Sequence, residues 1–115
     1  MSQIDDHLQK GIAFKTEGRY DEAIAELHAV ISADSAHDEG HRQLGLAYGF
    51  MGRFEESLEE LKRAVGLNPN NVDARNDLAL TYAMLGMMAE AKSEFATVLQ
   101  MDASNETALK NMAYF

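Results

Sequence analysis

At 115 residues the chain has the length of a single domain, and 19 acidic against 10 basic residues give it a formal charge of −9. That balance opposes phosphate-backbone and anionic-membrane binding, both of which draw on clustered Lys and Arg. With no cysteine, a disulfide framework, a thiolate nucleophile and a soft metal site are all excluded, and the polar N-terminus and lack of any long apolar run predict a cytoplasmic protein that binds neither nucleic acid nor membrane.

Apolar residues recur at three- and four-residue spacings throughout, the period of an amphipathic helix. In chain order the pattern predicts helices over 3–17 and 21–33, over 37–51 and 55–67, over 71–85 and 89–101, and a last segment over 106–114. Between the members of each pair stands Gly18-Arg19-Tyr20-Asp21-Glu22-Ala23, echoed as Gly52-Arg53-Phe54-Glu55-Glu56-Ser57 and Gly86-Met87-Met88-Ala89-Glu90-Ala91, 34 residues apart each time. Glycine suits the left-handed residue that follows many helix ends. Four residues before each glycine stands an aromatic (Phe14, Tyr48, Tyr82), and three before that a small residue (Gly11, Gly45, Ala79) where helices can approach closely. Leu27, Leu61 and Phe95 share one downstream position, and Val30, Ala64 and Val98 another. A fixed period of this length marks an array of one supersecondary unit, with repeats at 4–37, 38–71 and 72–105 and a C-terminal helix at 106–114 capping the open end.

These positions resemble the tetratricopeptide repeat. The second unit matches most fully, with Leu44-Gly45, Tyr48, Gly52, Ser57, Leu61, Ala64 and Pro69 at the family's spacings. Lys10 and Ser35 depart from it in the first unit and Ala79 and Ala103 in the third, while His7, His41 and Arg75 stand where a tryptophan is often found. The resemblance implies an all-α fold, an α-solenoid of three helix-turn-helix repeats. It also implies a function in protein binding rather than catalysis.

Little in the sequence points to chemistry. His37 and His41 are four apart beside Asp34, Asp38 and Glu39, a spacing that binds metal when both lie on one helix. The order is not that of a zinc protease, and His37 falls at a turn, so no metal site and no cofactor are expected. Glu22, Glu26, Glu55, Glu56, Glu59, Glu60, Glu90 and Glu94 lie on second helices at helical spacing. The expected arrangement is a solvated outer face on which Glu59 pairs with Lys62 or Arg63.

In tetratricopeptide arrays the first helices line the concave face. Carried onto this chain, that geometry makes Ile12, Leu46, Leu80 and Tyr114 one inner row and Thr16, Phe50 and Met84 another. The expected peptide groove comprises Ile12, Arg42, Gln43, Leu46, Phe50, Asn76, Asp77, Leu80, Met84 and Lys110, with an apolar protein segment as ligand. Arg42, Arg75 and Lys110 would pair with acidic groups of that partner, and Asp73 or Asp77 with a basic one. The family's two-carboxylate clamp for chaperone C-terminal tails needs cations where this chain has Leu8, Ile12, Gln43, Asp73 and Asp77. Such tails are therefore expected to be repelled. The predicted function is that of an adaptor or scaffold, with assembly of homo-oligomers through the open repeat ends as the alternative.

Overall fold

The computed structural model describes residues 2–115. The described residues form helices α1 (Gln3–Thr16), α2 (Tyr20–Ala33), α3 (Asp38–Phe50), α4 (Phe54–Leu67), α5 (Val72–Met84), α6 (Met88–Met101) and α7 (Glu106–Met112). The last helix stops at Met112, two residues short of the predicted end.

Each kind of helix start has its own cause. The later first helices begin on a side-chain cap at one repeat position, where His37, Asn71 and Asn105 accept from the amides of Gly40, Ala74 and Ala108. The second helices have no such cap and start two residues after the mid-unit glycine. There Gly18, Gly52 and Gly86 take φ of 78°, 76° and 77°. The amide of Arg53 donates to Tyr48 O at 2.9 Å and that of Gly52 to Gly49 O at 3.0 Å, the two bonds of a Schellman turn. A Cβ at Gly52 would meet nothing, so only the left-handed conformation opposes a side chain there. Gly52→Ala is expected to lower the unfolding free energy by about 1–2 kcal/mol, as read from urea denaturation.

Within a unit the two helices touch through the small residue. A Cβ on Gly45 would lie 2.8 Å from Leu61 Cγ, and one on Gly11 2.7 Å from the same atom of Leu27. In the third unit both partners change: Ala79 faces the ring of Phe95, and the two share a buried cluster with Val98 and Ala108. Successive units stack by packing α2 on α3, α4 on α5 and α6 on α7. α1 also touches α3, and α3 touches α5, which makes the first helices the inner layer of a rod 41 × 25 × 20 Å. No described helix is long and apolar enough to cross a membrane.

A polar series runs through the outer contacts of the array. His7 pairs with Glu26 at 2.6 Å, His41 with Glu60 at 2.7 Å, and Arg75 Nη1 donates to Glu94 at 2.9 Å. These are equivalent positions in the three units, so Glu26, Glu60 and Glu94 are structural partners rather than members of a freely solvated face. His41 is committed twice, since its Nε2 also lies 2.9 Å from the Ser35 carbonyl oxygen. His37 caps α3 through Nδ1.

Candidate functional site

The inner face divides along the length of the helices into a charged half and an apolar half. The charged half lies toward the start of α3 and α5. Arg42 on α3 donates through Nε to Asp77 on α5 at 2.7 Å and through Nη1 to Glu39 at 3.1 Å. Lys15 reaches across from α1 and donates to Gln43 Oε1 at 2.5 Å, and Gln43 in turn donates to Glu39 at 2.8 Å. Burial pushes the Asp77 carboxyl above its ordinary value, against the pull of the Arg42 hydrogen bond. Lys15 is held below its ordinary value, first by burial and then by the Arg42 charge.

The apolar half lies toward the ends of α3 and α5. Leu46, Phe50, Leu80 and Met84 line a groove floored by Phe54 and Ser57 of α4. Phe50 is 61% exposed and Met84 63%, while Leu80 is 39% exposed. Large apolar side chains exposed to that extent stand out on a chain of formal charge −9. Phe50 is nonetheless held in place, because its ring stacks on Tyr20 of the preceding unit at 5.7 Å and 16°. The groove encloses about 180 Å³. That is below the roughly 300–1,000 Å³ of a small-molecule site.

The sequence-predicted residues therefore separate. Leu46, Phe50, Asp77, Leu80 and Met84 come together around one groove, with Arg42 bound to Asp77 at its charged end. Gln43 and Asn76 are buried. The first is tied to Lys15 and Glu39, and the second donates to Asn105 Oδ1 at 3.1 Å. Ile12 is half-buried on α1, and Lys110 is exposed on α7. Arg75 is turned to Glu94. Comparing equivalent inner positions puts Lys15 in a row with Gly49 and Ala83 but does not show its reach to Gln43, and it does not find Tyr20 and Phe54, which start second helices and reach the site from there.

A family model for the tetratricopeptide repeat matches residues 7–37 and 72–105, more than half of the chain, and a second model for the same repeat matches 50–86. No curated protein gives a match to the sequence. Among solved structures, the second such domain of human RPAP3 in complex with the HSP70 peptide SGPTIEEVD is 27% identical. It superposes with a TM-score of 0.91 over 97% of this chain and 93% of that one. The second domain of Spaghetti (RPAP3) bound to the HSP90 peptide SRMEEVD is 28% identical, with a TM-score of 0.84 over 88% of this chain and 94% of the other. The first domain of Spaghetti, bound to the same peptide, superposes at 0.93 over 97% and 89% with 23% identity, which speaks for the fold alone.

These neighbours overturn the expectation that chaperone tails are excluded: similar domains hold acidic tail peptides. Of the two carboxylates that expectation rested on, Asp77 is paired with Arg42 and lies near the Lys15 charge, while Asp73 is exposed.

Proposed function

The chain belongs to the tetratricopeptide repeat family, and on that premise we propose that it is an adaptor that holds a partner's peptide in the groove between α3 and α5. The observation that carries this reading is the cluster of Phe50, Leu80 and Met84, large, exposed and apolar on a chain of charge −9. Affinity comes from one or two apolar side chains of the ligand entering between Leu46 and Leu80, flanked by Phe50 and Met84. Methionine adapts to varied shapes and aromatics give area at small entropic cost. Binding is reversible and involves no chemical step.

A second reading rests on Lys15 and Arg42 together with the two peptide-bound neighbours: an acidic C-terminal peptide with its carboxylates toward those cations. Selection of a random peptide library on the immobilised chain tests the first reading, and titration with SGPTIEEVD and SRMEEVD tests the second. Enrichment of peptides with spaced large apolar residues is the expected result. Enrichment of sequences without apolar residues would reject the groove as the site of affinity.

A further inference from the structure

The apolar groove does not end at Phe54. The same residue lines a second depression with Gly52, Arg53 and Leu85, and this one shares Glu55 and Glu56 with a third formed with Leu58 and Glu59. One continuous surface thus runs from Phe50 and Met84 around the start of α4 onto its acidic side.

The carboxylates along that path differ in their partners. Glu56 and Glu60 stand four apart on α4, and each has a side-chain partner: Arg53 binds Glu56, and His41 Nδ1 lies 2.7 Å from Glu60. Glu55 and Glu59 also stand four apart and are exposed, yet neither has an ion-pair partner among the described residues. Lys62 and Arg63, expected to supply one, do not. Arg53, which lines the same depression as Glu55, is already committed to Glu56 and lies over the Tyr48 ring at 4.8 Å. Like charges at this helical spacing repel, so the pair opposes the stability of α4. The other units avoid it, with Asp21 and Ala25 in the first and Ala89 and Ser93 in the third. The uncompensated pair occurs only in the unit whose second helix floors the groove.

We propose that the groove's partner is a segment with large apolar anchors followed by Lys or Arg, the anchors lying between Phe50 and Met84 and the cations reaching Glu55 and Glu59. This rests on the groove reading above and adds to it the charge and direction of the ligand. The net charge of −9 speeds encounter with such a segment at low salt. Exposed ion pairs are individually weak, so the two carboxylates supply selectivity more than affinity, worth about 3- to 10-fold together.

The test uses three fluorescein-labelled peptides of equal length, each with leucine and methionine anchors followed by three arginines, three serines or three glutamates. Fluorescence anisotropy is measured on the full chain and on the Glu55→Gln/Glu59→Gln variant, which leaves the Arg53–Glu56 pair intact. The arginine peptide is expected to bind about 3- to 10-fold tighter than the serine peptide. That advantage should shrink as ionic strength rises and lose most of its size in the variant, while serine-peptide affinity stays the same. Equal affinity of the arginine and serine peptides, or an advantage undiminished in the variant, overturns the charge assignment and leaves groove binding standing. Failure of all three peptides to bind overturns both.

Discussion

Phe95→Ala is expected to lower the unfolding free energy by about 3–5 kcal/mol, the range for removing a fully buried aromatic ring. Phe95 has no exposed surface and is the residue on which the third unit closes. Ala79 and Val98 pack on it from α5 and α6, Ala108 from α7, and the ring of Phe115 lies 6.3 Å away. Marginal stability of 5–15 kcal/mol is typical of whole domains, so this loss removes a large share. In a linear array each unit leans only on its neighbours. The damage should therefore be local: amides of α5, α6 and α7 lose hydrogen-exchange protection first, while α1 and α2 keep most of theirs. Uniform loss across all seven helices would show that the three units unfold as one body instead.

Leu80→Asp is expected to weaken binding of a library-selected apolar peptide by 30-fold or more, corresponding to the roughly 2 kcal/mol or greater loss of a central anchor. Leu80 sits between the two most exposed residues of the groove, and a carboxylate there faces any apolar ligand directly. It also stands near Asp77, whose only hydrogen-bonded cation is Arg42. Leu80 belongs to none of the buried core clusters, so the helical circular-dichroism signal should be unchanged. Loss of helicity would assign Leu80 to the core. Unchanged affinity would move the binding site elsewhere.

Contacts within a unit were legible in the sequence because they recur at fixed spacing. Gly45 over Leu61, the Schellman turn at Gly52 and the apolar series of each helix all follow from the 34-residue echo. The His7–Glu26, His41–Glu60 and Arg75–Glu94 series carried the same signal in two columns of the repeat. Helical spacing alone does not separate these paired glutamates from the solvated ones beside them. Contacts between units were not legible. Arg42 meets Asp77, Lys15 meets Gln43, and Tyr20 stacks on Phe50; which side chains meet depends on how each unit is rotated against the last. That rotation leaves no period in the sequence. The misjudged charge of the inner face follows directly, since Asp77 looks bare until α3 is placed beside α5.

The central claim, that the groove between α3 and α5 is where a partner binds, is tested most directly by the methionine methyl groups. Met84 lies in the groove and Met101 is an exposed methionine at the far end of α6. With the methionine methyls labelled, the full chain is titrated with a library-selected peptide and followed by NMR. The groove predicts a large, saturable shift at Met84 and none at Met101. A saturable shift at Met101 with Met84 unmoved would contradict it.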